Sequence, residues 1–190
     1  MFLDKLKIGS RLMLIVAGTI IGILAVGSYS LVEISQNLLE DRKVKTEHVV
    51  DVVTTLVAHY QGQEASGVMT REEAQKAAIA SIEKLRYDEN EYFWIQSYDN
   101  VIVMHPIKPA LNGKNMNGTV GPDGVKLFDE FVNVATEKGS GFVEYTWPKP
   151  GHDQPVPKIS FVKAFAPWKW IVGSGIYVDD VDTIFRQVLM

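Results

Sequence analysis

The chain has 190 residues, enough for one well-cored domain and an attachment segment, and its 46% hydrophobic and 22% charged content is typical of a folded protein. It contains no cysteine, which excludes disulfide bonds, thiol catalysis and cysteine-ligated zinc. Residues 1–32 carry a net charge of +2 and the remainder carries −6, and so acidic a remainder argues against binding to nucleic-acid phosphates.

An uncharged apolar run of 21 residues occupies positions 12–32. As a helix it would be roughly 30 Å long, which matches the hydrocarbon core of a bilayer. Lys5, Lys7 and Arg11 precede the run and Glu33 follows it. The positive-inside rule therefore places residues 1–11 in the cytoplasm and the chain after Glu33 outside it.

Two other interpretations of the apolar run are open. Residues 25–27 form a tolerable cleavage site for a signal peptide, although the run is longer than the usual apolar region of such peptides. A buried core helix is the other alternative, but cores rarely supply so long an uncharged stretch behind a basic flank. We expect a retained transmembrane helix over residues 12–32.

Two more helices are predicted before position 88. Residues 33–61 continue from the membrane as one long helix, because apolar residues recur there at spacings of three and four. Thr70 and Glu73 form a capping-box pattern that begins the next helix. The polar run after Tyr87 is expected to end it.

From position 92 the pattern changes to strand formers separated by turn signals. Strands are predicted over residues 92–95, 101–104, 142–147, 158–165 and 170–177, and a third helix over 125–137 with its C-terminal cap at Gly139. Short connections favour antiparallel pairing. The predicted fold class is therefore α+β, with a five-stranded antiparallel sheet and flanking helices.

The sequence contains no recognisable catalytic constellation. The glycines around positions 118–124, 139–141 and 173–175 match neither a Walker, a dinucleotide-binding nor a nucleophile-elbow pattern. His48 and His59 would lie about 16 Å apart along a helix axis, too far to share a metal ion. We therefore expect a protein that is not an enzyme and that has no metal site and no cofactor.

What remains is a concentration of aromatic and polar side chains on the predicted sheet. Alternate residues of a strand face the same side, which pairs Tyr92 with Trp94, Tyr145 with Trp147 and Lys158 with Ser160, while His105 and Tyr177 each end a strand. Apolar walls with a cation, phenols and indoles suit a small carboxylate. Each residue could equally serve in packing, and the register that decides whether these faces coincide is not readable from the chain.

The chain resembles the single Cache domain of bacterial chemoreceptors, the type called sCache_2. The resemblance rests on the runs RYDENEYFWIQSYDNVIVMHPIKPALNGKN, GFVEYTWPKPG and KISFVKAFAPWKWIVGSGIYVDDVD, which lie within residues 86–182. The segment KIGSRL is also similar to the start of many methyl-accepting chemotaxis proteins. The chain departs from the family where Gln96-Ser97 replace the usual Asn-Asp and where Phe161 replaces a frequent Tyr, which leaves the finer ligand preference open.

The resemblance implies an extracytoplasmic PAS-like domain over residues 33–182, packed on the long N-terminal helix, with residues 183–190 beginning a second membrane-proximal helix. It also implies a homodimer in the bacterial inner membrane that senses a small organic acid of two to four carbons. By motif match, the ligand would contact Arg86 (or Tyr87), Tyr92, Trp94, His105, Tyr145, Trp147, Lys158 and Tyr177. The input domain of a histidine kinase or cyclase and a secreted small-molecule binding protein are the alternatives.

Overall fold

The computed structural model describes residues 7–88, 90–121 and 123–179. The membrane-proximal helix predicted over 183–190 lies outside the described residues. Within these ranges the chain forms the α-helices α1 (Ile8–Ala65), α2 (Arg71–Glu83) and α3 (Leu127–Lys138). Gly139, with a φ of 81°, ends α3 as predicted, because a residue without a Cβ adopts this conformation without strain.

The first helix unites the predicted membrane segment and the helix after it in 58 continuous residues. Its apolar side chains over positions 12–32 are exposed, whereas Val50, Val53 and Val57 are buried against the rest of the fold. Within the described part of the chain, α1 is the one helix that is long and apolar enough to cross a membrane. Its two halves therefore meet different surroundings.

The second helix begins at the predicted capping box. The Thr70 hydroxyl accepts a hydrogen bond from the Glu73 backbone N–H, and the Glu73 carboxylate accepts one from the Thr70 N–H at 2.8 Å. The helix ends at Glu83, earlier than predicted, because residues 86–87 form a short strand instead. That strand turns back through Asp88, whose φ of 41° is left-handed.

The described residues form a sheet of six strands, all paired antiparallel, which includes the five that the sequence predicts. They are β1 (Arg86–Tyr87), β2 (Glu91–Ser97), β3 (Ile102–Met104), β4 (Ser140–Pro148), β5 (Pro155–Phe165) and β6 (Trp170–Tyr177). The order is β1-β2-β6-β5-β4, and β3 also pairs with β2. The fold is thus mixed α+β, with a PAS-like sheet on a long N-terminal helix.

The sheet separates two apolar cores. On one face Phe93, Ile95 and Val172 pack with buried residues of α1 and α2. On the other face Trp94 and Tyr145 pack with residues of α3. Because side chains alternate along each strand, every central strand contributes to both cores.

Candidate functional site

Three neighbouring strands place a lysine between two tyrosines on the face that packs against α3. Lys158 of β5 lies directly opposite Tyr145 of β4 and Tyr177 of β6 in the antiparallel register. Residues directly opposite one another across such strands point to the same side of the sheet. The register therefore builds one row of polar side chains from strands that are far apart in sequence.

The Lys158 ammonium is buried, with 1% of the residue exposed. Its Nζ donates hydrogen bonds to the hydroxyls of Tyr92 at 3.2 Å and Tyr177 at 3.3 Å, and it lies 4.3 Å and 4.4 Å from the centres of these rings. Among the residues that the structure describes, no carboxylate lies within ion-pair distance of this Nζ. Among the described residues, the direct hydrogen-bond partners of this buried ammonium are neutral phenols, an arrangement that favours the approach of an anion.

His105 lies beside this cation and is neutral. Its ring is 5.1 Å from that of Tyr92 and 6.0 Å from that of Trp147. Burial and the nearby charges of Lys158 and Lys108 lower the pKa of His105 to about 3. Its Nδ1 accepts the Lys108 backbone N–H at 3.1 Å, so the proton of the neutral ring is on Nε2, which is a donor.

The phenols of the row keep their protons. Burial raises the pKa of both Tyr145 and Tyr177, and the proximity of the Tyr92 phenol raises them further. The Tyr145 hydroxyl lies 2.9 Å from Ser160 Oγ, and the Tyr177 hydroxyl donates to the Pro148 carbonyl at 2.9 Å. The Tyr177 proton is therefore used by a backbone carbonyl, and the Tyr177 oxygen accepts from Lys158.

Trp94 lies across a glycine of the sheet. A Cβ at Gly173, its partner on β6, would be 2.4 Å from the indole ring, so only glycine permits this close approach. Within the described residues, the buried Trp94 Nε1–H has no hydrogen-bond partner. An unpaired buried donor beside a cavity is available to a ligand.

The opposite wall of the site is apolar and comes from α3. Leu127, Phe128 and Phe131 face the sheet at the spacing of successive helical turns. The cavity between helix and sheet is narrow, with a volume of about 10 Å³, and it opens to solvent at its mouth. Its lining residues are Tyr92, Trp94, His105, Leu127, Phe128, Phe131, Tyr145 and Trp147.

A polar network attaches this wall to the sheet. The buried Gln96 side chain of β2 donates to Asn100 Oδ1 and to the Phe128 carbonyl, each at 3.2 Å. Asn100 in turn donates to Asp129 at 2.5 Å, and Asp129 also accepts the Gly118 N–H at 3.1 Å. These bonds join β2, the turn after it, the loop at Gly118 and the start of α3, and they hold the Phe128 backbone against the sheet.

Seven of the eight predicted site residues lie together, and Arg86 does not. The pleat places Arg86 on the same face as Tyr92, but its exposed guanidinium turns back to the carbonyls of Glu83 and Leu85 at 2.8 Å and 2.7 Å. Tyr87, the alternative at this point, packs on Phe93 on the other face of the sheet. The seven that meet are Tyr92, Trp94, His105, Tyr145, Trp147, Lys158 and Tyr177.

The sequence analysis did not identify the apolar wall from α3, nor the two glycines, Gly173 and Gly175, against which Trp94 and Ser160 pack. Leu127, Phe128 and Phe131 read as an ordinary amphipathic helix, and nothing local indicates what that helix covers. Gly173 and Gly175 did carry a signal, because alternating glycines inside a strand often mark a close approach by another group. A Cβ at Gly175 would lie 2.0 Å from Ser160 Oγ.

A PAS-like sheet that borders a small aromatic cavity, with a buried lysine hydrogen-bonded to one of the lining tyrosines, is typical of ligand-binding sensor domains. The family model described as Single Cache domain 2 matches residues 38–189. The chain belongs to this family.

Two relatives and one solved structure illustrate the similarity. The methyl-accepting chemotaxis protein McpP of Pseudomonas putida is 40% identical over 187 residues, which cover 98% of this chain and 34% of that protein. The sensor histidine kinase MctS of Rhizobium johnstonii is 31% identical over 147 residues, covering 77% of this chain and 31% of the kinase.

The solved structure is described as "Structural basis for carboxylic acid recognition by a Cache chemosensory domain". It superimposes with a TM-score of 0.72 and 46% identity, covering 75% of this chain and 97% of that one. This chain thus spans about a third of the length of the two relatives, and three quarters of its own length is shared with the solved sensor domain.

Proposed function

We propose that this chain is the extracytoplasmic sensor region of a bacterial chemoreceptor, that it binds an organic acid of two to four carbons, and that it reports binding across the inner membrane. The observation that carries the ligand class is the buried Lys158 ammonium, which donates hydrogen bonds to two phenols beside the cavity, one of which, Tyr92, lines it. The 46% identity to a Cache domain described as recognising carboxylic acids supports the same class. The chain acts by binding, and no catalytic step is proposed.

The donors around Lys158 suit one carboxylate. Lys158 supplies the positive charge, and the Nε2–H of His105 and the Nε1–H of Trp94 are donors at the same cavity. Small ligands bind with at most about −1.5 kcal/mol per heavy atom, so acetate, with four, reaches about −6 kcal/mol or tens of micromolar. We therefore expect a working range from micromolar to millimolar concentrations.

A chain of polar contacts from the site to α1 supports the reporting step. Ser174 Oγ donates to the Tyr92 carbonyl at 2.7 Å and lies 2.8 Å from the Tyr87 hydroxyl. The next residue, Asp88, accepts a hydrogen bond from Arg42 of α1. A ligand that draws the Tyr92 phenol toward itself would shift β2 and thereby favour one of two positions of α1.

The apolar half of α1 and the charges around it support the proposed location. The exposed apolar segment over 12–32 would cross the inner membrane, with the basic residues 1–11 in the cytoplasm and the sensor domain in the periplasm. A homodimer is proposed from the family resemblance. Cleavage after Gly27 would instead release a secreted binding protein, and the mass of the mature chain distinguishes the two.

The relationship to MctS favours a second candidate, the input domain of a sensor histidine kinase. The two candidates share ligand binding and differ in the cytoplasmic module. The coding sequence beyond residue 190 distinguishes them.

The first test is a calorimetric and thermal-shift screen of the 190-residue chain in lipid nanodiscs against two- to four-carbon acids, amino acids and urea. At least one carboxylate is expected to raise the melting temperature at millimolar concentration. If none does, the proposed ligand class is wrong.

The Lys158→Met variant tests the anion site. Hydrogen bonds to charged groups contribute about 1.5–3 kcal/mol, so the affinity for a carboxylate is expected to fall roughly 10- to 100-fold. Lys114→Met, which removes an exposed lysine, is the matched control and should bind as the wild type does. Unchanged affinity in Lys158→Met would contradict the assignment of this lysine to the anion.

A further inference from the structure

The cavity is smaller than the ligand proposed for it. Its volume of about 10 Å³ has room for about one water molecule, and even acetate needs several times that space. Protein interiors are close-packed, so the walls cannot yield a little on every side. Binding of a carboxylate therefore requires that a lining side chain moves away, and the lining residues differ in how firmly they are held.

Trp147 is the least enclosed of the eight lining residues. It is partly exposed, whereas each of the other seven is at most 7% exposed. It lies next to the end of β4, which is an edge strand. Its ring centre is 6.0 Å from those of His105 and Phe128 and 6.4 Å from that of Tyr145. Its ring contacts are therefore loose and lie on the cavity side.

The other lining side chains are fixed by their surroundings. Tyr92 and Tyr145 are hydrogen-bonded through their hydroxyls, and His105 through Nδ1. Trp94 is closely packed on a glycine of β6. The three residues from α3 belong to a helix that the Gln96 side chain attaches to the sheet. Of the eight, Trp147 is the one that a ligand can displace without breaking a hydrogen bond or the packing of a core.

The backbone at Trp147 is held, so the movement available is a rotation of its side chain. The Tyr177 hydroxyl donates to the Pro148 carbonyl at 2.9 Å, and Lys149 forms an ion pair with Asp179 at 2.7 Å. Rotation to another side-chain rotamer leaves these contacts in place. Because an indole ring is larger than acetate, its displacement toward solvent makes enough room for the ligand.

A lysine lies against the same ring. The Lys108 ammonium is 4.3 Å from the centre of the Trp147 ring. Its backbone N–H donates to His105 Nδ1 at 3.1 Å, which anchors the lysine to the site. The Asp153 carboxylate, in the loop after β4, attracts the same ammonium. Lys108 thus stabilises the position in which Trp147 covers the cavity.

We propose that Trp147 is the gate of the cavity, which a ligand displaces toward solvent when it binds, and that Lys108 is the latch that holds the gate closed. This inference rests on the carboxylate-binding function proposed above and adds the route by which the ligand enters.

The first experiment follows the gate in the wild-type sequence. The four tryptophans of the 190-residue chain in nanodiscs are replaced by 5-fluorotryptophan, and each ¹⁹F resonance is assigned by a single Trp→Phe substitution. The difference in chemical shift between H₂O and D₂O reports the solvent exposure of each ring. Saturation with acetate, propionate or butyrate should increase this difference for Trp147 and leave it unchanged or smaller for Trp94, Trp168 and Trp170.

The outcomes separate the gate from the function on which it rests. If an acid binds and the exposure of Trp147 stays the same or falls, the gate is overturned and the carboxylate-binding function stands. If none of the three acids binds, the inference fails together with that function.

The second experiment removes the gate. In Trp147→Ala the fraction of molecules open to ligand is no longer limited by the ring, so the association rate constant for acetate should rise at least about threefold. Line shapes of ¹³C-labelled acetate measure this rate. An unchanged rate in folded Trp147→Ala would overturn the gate.

Phe142→Ala is the matched control. It also removes a partly buried aromatic ring from β4, but from the other face, where Phe142 packs 4.9 Å from the Phe161 ring. Its association rate should stay within about twofold of wild type, since it leaves the gate intact. An equal rise in both variants would show that any loosening of β4 admits the ligand, and would overturn the proposal.

The third experiment tests the latch without ligand, so that attraction of an anion by Lys108 does not enter. A cation over an indole ring shifts an equilibrium between two ring positions roughly 2- to 30-fold. The ¹⁹F solvent shift of Trp147 should therefore rise in Lys108→Met and stay as in wild type in Lys114→Met, which removes an exposed lysine. The same Trp147 exposure in both variants would overturn the assignment of Lys108 as the latch.

Discussion

The two faces of the sheet are built from the same strands and do different things. The face toward α1 and α2 is mainly an apolar core, and its buried Ser174 is hydrogen-bonded to a backbone carbonyl. The face toward α3 holds a buried ammonium, a neutral histidine and an indole N–H without a partner among the described residues. Both faces carry an apolar core, but the ligand chemistry lies on one of them, because alternation lets one strand contribute different side chains to each face.

The largest effect that tests this division is expected on the apolar face. Ile95 of β2 is fully buried between the sheet and the helices α1 and α2. Ile95→Ala should therefore lower the free energy of unfolding by about 2–5 kcal/mol. The ligand affinity of the folded fraction should stay within about threefold of wild type. Chemical denaturation and calorimetry below the midpoint measure the two quantities. A large loss of affinity in folded protein would show that the faces are not separable.

A smaller loss of stability, accompanied by loss of binding, is expected on the other face. In Gly173→Ala the new Cβ meets the Trp94 ring and must displace it, at a cost of about 1–3 kcal/mol. Because Trp94 lines the cavity, affinity should fall as well. Gly62→Ala is the control, since no atom lies within 4 Å of a Cβ there and alanine favours the helix. Wild-type affinity in Gly173→Ala would show that the packing of Trp94 on Gly173 does not shape the ligand site.

The last effect concerns pH and is spread over several pH units. The pKa of His105 is about 3 in the folded protein and near 6.5 when unfolded, so the unfolded chain takes up this proton first as pH falls. The contribution of His105 is therefore complete above pH 6.5 and is lost as pH falls toward 3, at no more than about 1.4 kcal/mol per pH unit.

His105→Gln should remove this part of the pH dependence, whereas His152→Gln, in the exposed loop after β4, should keep it. Denaturation between pH 7 and 4 compares the slopes of the three proteins. Equal slopes for wild type and His105→Gln would contradict a neutral, buried His105.

The sequence determined most of the fold and which side chains share a face. Alternation along single strands places Tyr92 with Trp94 and Lys158 with Ser160, and the structure has both pairs on the α3 side. The capping box at Thr70 and the glycine cap after α3 are likewise local signals and were predicted correctly. Such features depend on neighbours in the chain, which a sequence displays directly.

Only the tertiary structure decided that the polar faces of β2, β4, β5 and β6 meet at one site. The row Tyr145–Lys158–Tyr177 depends on strand register, which results from long-range pairing and from packing of both cores. Long-range pairing also overrode the helical pattern before Tyr87 and produced β1, and the guanidinium of Arg86 then turned to the end of α2. The apolar wall came from α3, because a helix sequence shows that one face is buried without showing what that face will cover.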